Sequence, residues 1–410
     1  MENNIDVFLG LDVGKTNHWA CALTRDGKKL WNKTLPNDEQ RLVALYDKLA
    51  GYGNILVVVD QPATIGALAV AVAQHLGIAV AYLPGLTMRR VADLHPGNAK
   101  TDERDAYIIA ETARTMPHTL RALQVCDQEE ATLVMLTGFD LDLSRQITAT
   151  KNRIRGLYTQ IHPPLEKILG PWLDHEAVLE VIATYPTPTA LAKAGTTKIA
   201  TLLKKHGARR HQAWATIITQ ALDKQSVTVV GTDAAGLVLP HLARQLIALN
   251  AQRVDVAREV EKIVADHPLY PVLTSMPGVA VRTAAIIIAE TSGKTFKNSA
   301  ALASYAGLAP QTRQSGTSIR SERVSHAGNK RLKRALFLSA FASIRTDPTS
   351  RAYYNKKRSQ GKRHNQALIA LAHRRLTVLH AMIRDGSLYD TWAVSSFVDS
   401  LFVDQAATAS

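Results

Sequence analysis

Ile55-Leu56-Val57-Val58-Val59 is a continuous apolar run, mostly β-branched, and no other segment limits the N-terminal fold as tightly. Such a run suits a strand covered on both faces, with helices on either side of a sheet. Val7–Leu11, Trp19–Thr24 and Leu30–Lys33 are further strand-like runs, separated by the turn signals Gly14-Lys15 and Asp26-Gly27. They predict a three-strand meander. Ile65–Leu76 is Ala-rich and predicts a helix, and Ile78–Leu83 predicts a strand ending at Pro84. Thr101–Arg114 predicts a helix capped by Thr101, with Ala106, Ile109, Ala110 and Ala113 at helical spacing. The first 115 residues therefore read as α/β, in the order β-β-β-β-α-β-α.

From about Glu129 the pattern turns helical. Leu136, Phe139, Leu143, Ile147, Thr150, Ile154 and Leu157 recur at alternating three- and four-residue steps, a coiled-coil-like seam whose other faces carry Arg145, Lys151, Arg153 and Arg155. A second seam runs Leu242, Leu246, Leu249, Arg253, Val256, Val260, Ile263, broken at Arg253. The two seams can pair within one chain or across a dimer. Residues 165–235 read as mostly helical, and no internal repeat is visible. The expected fold class is α/β plus all-α. The expected domains are 1–125, a sheet domain; 126–268, helical; 269–393, a basic helical domain; and 394–410, a disordered tail.

Charge separates the halves further. The chain carries 49 Lys and Arg against 35 Asp and Glu, a net charge of +14. Between Arg313 and Arg384 stand 17 Lys and Arg and only two acids, Glu322 and Asp347, so this stretch holds the whole excess. A solvated helix face normally mixes signs; a field of one sign attracts a polyanion, and phosphate contacts release counterions. No basic amphipathic helix with a Trp/Phe face and no membrane-length apolar run occurs, so no membrane partner is expected. Cys21 and Cys126 are too few for a disulfide framework. Met1–Asp6 is polar and acidic, without the start of a signal peptide. A cytoplasmic setting is expected.

Four acids stand out. Asp12 ends the first strand run, and Asp60 ends the central one. A carboxylate after buried residues is costly unless something compensates it. Asp102 and Asp105 lie three apart, on one face of the predicted helix. Four converging carboxylates repel unless they share cations, and oxygen-only ligation suits Mg²⁺ or Mn²⁺. Paired ions about 4 Å apart clamp the attacking and leaving oxygens of a phosphate ester. Singly, each acid also fits a turn or a helix cap.

The basic half contributes hydroxyls. Leu308–Arg320 reads as a polar loop in which Ser315, before Gly316, lies between Arg313 and Arg320, with Arg323 beyond. A hydroxyl among guanidinium groups can attack a phosphodiester while the arginines stabilise charge on the phosphate. Ser318, Ser321 and Ser325 are rivals, and a Ser-Gly pair by itself is an ordinary turn. Ser325–Leu336 predicts a Gly/Asn turn opening a basic helix, with Lys330, Arg331, Lys333 and Arg334 suited to phosphates. Tyr353–Arg358 sets aromatics beside bases. Met276–Ala284 is similar to a helix-hairpin-helix, with Ala280 in place of the usual second glycine.

Together these stretches resemble the DEDD transposases of bacterial insertion sequences, which carry a RuvC-like, ribonuclease-H-like N-terminal domain and a C-terminal serine domain. The matching segments are Leu11–Trp19, Val57–Pro62, Asn98–Ala106, Ser144–Leu157, Pro277–Glu290 and Tyr305–Leu336. The resemblance implies that Asp12, Asp60, Asp102 and Asp105 form the metal-binding tetrad. The second acid of the family is commonly Glu; Asp60 is one methylene shorter. It implies that Ser315 is the nucleophile and forms a phosphoserine link to DNA. It implies donor and target DNA and a non-coding bridge RNA as partners, with sequence choice made by base pairing. It implies a dimer of dimers in which a carboxylate domain meets a serine domain of another subunit, and a place on the bacterial nucleoid. Competing readings are a RuvC-like nuclease for branched DNA, in which water attacks; an actin-like kinase or ATPase, suggested by Asp12-Val13-Gly14-Lys15-Thr16; and a non-catalytic nucleic-acid-binding protein.

Overall fold

The computed structural model describes residues 5–62, 64–95, 101–123, 128–294, 296–315, 319–324 and 328–390; for 310–315 and 319–324 only the backbone is described. The chain forms two compact units, Met1–Asp127 with Thr291–Lys297, and Gln128–Glu290 with Asn298–Ser410.

The first unit runs β1 (Val7–Asp12), β2 (Asn17–Thr24), β3 (Lys29–Pro36), α1 (Glu39–Ala50), β4 (Ile55–Val59), α2 (Ala67–His75), β5 (Ala79–Tyr82), α3 (Gly85–Ala92), α4 (Asp102–Thr115) and β6 (Arg121–Ala122). The sheet order is β3-β2-β1-β4-β5-β6. β1, β2 and β3 form the antiparallel meander, β4 and β5 run parallel to β1, and β6 closes the edge antiparallel. This mixed sheet is consistent with a ribonuclease-H-like domain. α1, α3 and β6 are additions to the order read from the sequence. Asp38 caps α1, its Oδ1 accepting from the Arg41 N–H at 3.1 Å, and Leu42, Leu45, Tyr46 and Leu49 bury its inner face.

Strand alternation divides the core into two faces. Val7, Leu9, Leu11, Ile55, Val57 and Val59 pack with Leu42, Tyr46, Val70 and Ala73 of α1 and α2. Phe8, Leu56 and Val58 pack on the other face with Ile109 and Ala113 of α4, and Cys21 and Leu23 meet Ala106 and Ala110 there. Burial pushes the Cys21 thiol up to about 11, so it behaves as a core residue.

The second unit is mostly helical: α5 (Gln128–Ile161), α6 (Pro163–Leu169), α7 (Glu176–Thr184), α8 (Pro188–Lys205), α9 (His211–Leu222), α10 (Thr232–Ala265), α11 (Tyr270–Ser275), α12 (Val281–Thr291), α13 (Ser299–Tyr305), a hairpin of β7 (Pro310–Ser315) and β8 (Ile319–Val324), then α14 (Lys330–Thr346), α15 (Pro348–Ser359) and α16 (His364–Asp385). The long helices α5 and α10 pack on each other within the chain. Glu130 meets His267 while Asp140 meets Arg253, so they run antiparallel. The seam on α5 begins at Leu133 and Thr137 rather than at Leu136 and Phe139, and passes through Tyr158 rather than Leu157 to end on Ile161. On α10 it ends on Val264 rather than Ile263. Residues 308–320, expected to be a loop, instead contain β7 and the start of β8. No helix among the described residues is long and apolar enough to cross a membrane.

Candidate functional site

The alternation that builds the sheet also places the first two acids. On β1 the even positions face α4, so Asp12 falls on the α4 side, opposite Trp19 in the β1–β2 ladder. Leu11 pairs with Val59, so Asp12 and Asp60 are the next residues of adjacent parallel strands. Neighbouring strands lie about 4.8 Å apart. The Val13 N–H donates to Asp60 Oδ1 at 3.4 Å, holding that carboxylate across the two strand ends.

Gly10 seats the helix that carries the other two acids. A β-carbon at Gly10 would lie 2.4 Å from the Ala106 carbonyl oxygen and 2.5 Å from the Ala110 nitrogen. Only a bare α-carbon lets α4 settle directly on β1. Asp102 and Asp105 sit one turn before Ala106 and Ile109, on the stripe that meets the sheet. The Thr101 hydroxyl caps α4 by accepting from the Arg104 N–H at 3.3 Å. Arg104 donates onward to the carbonyls of Ala92 and His95. Asn32 donates to Glu103 at 2.5 Å and accepts from the Trp19 indole at 2.9 Å, tying the helix start to β2 and β3.

The electrostatics fit a cation. Burial holds the Asp60 carboxyl above the usual carboxylate range, with hydrogen bonds from Val13 and Gln61 opposing the rise. Among the described residues neither Asp102 nor Asp105 has an ion-pair partner. The loop after Asp12 is pinned by His18, which is buried. The Gly14 N–H donates to His18 Nδ1 at 3.2 Å, so Nε2 carries the ring proton and donates to Asn37 Oδ1 at 3.2 Å. Burial keeps this imidazole neutral. A kinase-like phosphate loop would need the Gly14 amide, and here that amide is occupied by His18.

Asp12, Asp60, Asp102 and Asp105 are thus gathered at one end of one sheet face, and all four offer the hard oxygen donors of a Mg²⁺ or Mn²⁺ site. No three of them bring ligand oxygens within 4.8 Å of one another. Among the described residues only Glu176, Glu180 and His206 reach that spacing. Sequence reasoning passes over this trio. Glu176 and Glu180 are four apart on α7, which is a legible spacing, but His206 arrives only through the packing of α8 on α7.

The cations divide by environment. Arg153, Lys330 and Arg334 are exposed and lack a salt bridge among the described residues, whereas Arg145 pairs with Asp142 at 3.1 Å. Lys151 pairs with Asp174, and Arg155 with Glu166 at 2.6 Å. Arg331 turns inward, pairing with Glu290 at 3.0 Å and donating to Thr137 Oγ1 at 2.8 Å. Lys333 is half-buried, and burial lowers its amine. Asn329 caps α14 by accepting from the N–H groups of Arg331 and Leu332.

Ser315 closes β7 opposite Ile319, with Arg313 opposite Ser321, Gln314 opposite Arg320 and Gln311 opposite Arg323. It stands at the closed end of a hairpin whose arginines sit at fixed register. The side chains of Arg313, Ser315, Arg320, Ser321 and Arg323, and all of Ser318 and Ser325, lie outside the described residues.

Comparison with known proteins gives a consistent picture. A family of the DEDD, IS110 kind, described as "Transposase", matches residues 9–163, and "Transposase IS116/IS110/IS902 family" matches residues 270–355. The 43.6 kDa protein of insertion element IS110 from Streptomyces coelicolor is 53% identical over 390 residues, 95% of this chain and 96% of that protein. The 42 kDa protein of insertion element IS900 from Mycobacterium paratuberculosis is 36% identical over 394 residues, 93% of this chain and 97% of that protein. The pilin gene-inverting protein of Moraxella bovis is 34% identical over 121 residues, 29% of this chain and 38% of that protein.

Proposed function

The chain belongs to the IS116/IS110/IS902 transposase family and is by that membership a DNA transposase, and we propose that it cuts and rejoins DNA by metal-assisted attack of Ser315 on a phosphodiester, with the serine domain of one subunit meeting the carboxylate domain of another. The observation that carries this reading is the common placement of Asp12 and Asp60 at adjacent strand ends, under the α4 stripe that bears Asp102 and Asp105. These four acids would hold Mg²⁺ or Mn²⁺, which would polarise the scissile phosphate. The chain supplies the rest. Asp60 is fixed by the Val13 amide, α4 is fixed by Gly10, and the turn after Asp12 is fixed by His18. Ser315 Oγ forms a bond to phosphorus, loses its proton, and the strand oxygen departs as a terminal hydroxyl. The strand is then held as a phosphoserine until a new hydroxyl reverses the step.

The same reading assigns Arg313, Arg320, Arg323, Lys330 and Arg334 to phosphate contacts, with Arg145 and Arg153 on α5. Lys151, Arg155 and Arg331 act first by holding the protein together, since each pairs with an acid outside its own helix, whereas the exposed Arg145–Asp142 pair lies within α5. Donor and target DNA would be chosen by a bridge RNA. The antiparallel α5–α10 pair would act as a coiled-coil arm in a dimer of dimers. The α11–α12 turn, where Gly278 has φ +80°, would serve as a hairpin-like backbone contact to DNA on the nucleoid.

Recombination in vitro, with Mg²⁺, the RNA flanking the element and both DNA partners, tests the serine step. Ser315→Ala is expected to lower strand exchange by at least about 10³-fold and to abolish the covalent protein–DNA adduct on denaturing gels. Cleavage retained at wild-type rate without an adduct would replace the serine mechanism with hydrolysis by water.

A further inference from the structure

The outer face of α14 carries an exposed stripe in which Lys330 and Arg334, already assigned to phosphates, are followed by apolar side chains that this assignment does not use. Lys330, Arg334, Leu338, Phe341 and Arg345 follow one another at steps of four, four, three and four residues, which places them on one side of the helix. The opposite side, Leu332, Ala335, Leu336, Ser339, Ala340 and Ser343, is buried. Leu338 is 49% exposed and Phe341 43%, large values for apolar side chains on a packed helix.

Phe341 belongs to an aromatic group drawn from three helices. The His364 ring at the start of α16 meets Phe341 edge-on, with centroids 6.3 Å apart and an interplanar angle of 88°. It meets Tyr354 of α15 in the same way at 5.8 Å and 78°. The Tyr354 hydroxyl and His364 Nδ1 lie 2.7 Å apart, which fixes the ring between its neighbours. The Arg345 guanidinium stands 5.9 Å from the centroid of Phe341. Tyr353, adjacent in sequence, is more buried and holds two cations, Arg374 and Lys357, 4.6 and 5.4 Å from its ring centroid, against the single more distant one at Phe341.

The surroundings carry one sign of charge. Arg358, Lys362 and Arg363 are exposed beside Tyr354 and His364. Asp347 is the one acid between Lys330 and Arg384, and it is buried and committed to capping α15 through the Thr349 and Ser350 N–H groups. Flat apolar rings set between unneutralised cations match a polyanion that has flat apolar faces of its own. Duplex DNA hides those faces; a single strand offers them.

We propose that Phe341, with His364 and Tyr354 bracing it, is a stacking platform for an unpaired base of single-stranded nucleic acid whose phosphates lie along Lys330, Arg334 and Arg345. This rests on the nucleic-acid reading above and adds to it a site that recognises unpaired bases. Stacking on an aromatic tolerates any base, so the platform gives affinity without choosing sequence.

Single-stranded RNA and DNA oligonucleotides carrying 2-aminopurine, whose fluorescence is quenched on stacking, test this with the full-length chain. Wild type is expected to bind with quenching. Phe341→Ala is expected to remove the quenching and weaken single-strand binding by about 5- to 100-fold, while Phe341→Trp restores both and duplex binding stays within about twofold. A larger loss with RNA assigns the platform to a guide strand, and a larger loss with DNA to a displaced one. Quenching that survives in Phe341→Ala, or equal losses for single strand and duplex, would overturn the platform and leave the serine and metal account standing. Wild type that binds no nucleic acid would overturn the underlying reading instead. Binding of an acidic protein from solution, with no effect of Phe341→Ala on oligonucleotides, would assign the face to a protein partner and refute the proposal.

Discussion

Asp60→Asn is expected to abolish strand cleavage and exchange, a fall of at least about 10³-fold, while leaving the protein folded. Asn is nearly isosteric and keeps an oxygen that can accept from the Val13 N–H, so the link between β1 and β4 survives. What it removes is a negative charge held where burial already disfavours one. The unassembled protein should therefore be at least as stable as wild type, and circular dichroism and thermal unfolding should show no loss. Asp60→Glu keeps the negative charge on a side chain one methylene longer and should retain activity within about tenfold. The contrast between Asn and Glu separates a charge requirement from a packing requirement. Activity of Asp60→Asn at wild-type rate would remove Asp60 from the chemistry.

Arg375→Met is expected to cost about 3–5 kcal/mol of stability in the second unit. Arg375 lies on α16 and is 4% exposed. Its guanidinium donates to the Pro277 carbonyl, to Ser339 Oγ at 3.0 Å and to Ser350 Oγ at 3.3 Å. Ser350 in turn donates to Asp347 Oδ2 at 2.5 Å, and Tyr389 donates to the same oxygen at 3.3 Å. One side chain thus joins α14, α15, α16 and the Pro277–Gly278 turn. That turn needs the hold, because a β-carbon at Gly278 would lie 2.5 Å from the Ser339 carbonyl oxygen. Burial lowers Arg375 to about 10, still charged at neutral pH, while Tyr389 and Asp347 favour the charge. Removing it leaves a half-buried carbonyl and two buried serine hydroxyls without their donor. Arg375→Lys should fail to rescue, since a single ammonium cannot reproduce the planar fork that serves three acceptors. Hydrogen exchange is the suitable readout: protection across α11 to α16 should collapse in Arg375→Met while that of β1 and β4 is unchanged.

The two strand-end acids are legible in the sequence because each closes a run with no other polar residue in it. Their shared face follows from alternation once the β1–β4 register is known, and the register is a long-range fact. The seat of α4 on Gly10 is invisible for the same reason, since a glycine inside a strand run does not say what approaches it. The slip in the α5 seam has a local cause. Thr137 reads as a surface residue, yet it is buried because its hydroxyl donates to the Leu133 carbonyl and accepts from Arg331. A polar side chain whose bonds are met inside the fold cannot be told from an exposed one by periodicity. The β7–β8 hairpin escapes in a similar way. Gln311 to Ser315 has no alternating apolar face, and the pairing rests on backbone bonds. α1 was available from its Asp38 cap and its Leu42, Leu45, Tyr46 and Leu49 spacing.

The proposed gathering of the four acids around divalent metal is tested most directly by iron-directed backbone cleavage. Fe²⁺ takes Mg²⁺ sites, and with ascorbate and peroxide it releases hydroxyl radicals that cut the chain nearest the bound ion. The expected fragments end beside Asp12, beside Asp60 and within Asp102–Asp105, all three together, suppressed by excess Mg²⁺ and absent from Asp60→Asn. Cuts at only one of these segments, or cuts centred on Glu176 and His206 and indifferent to Asp60→Asn, would contradict it.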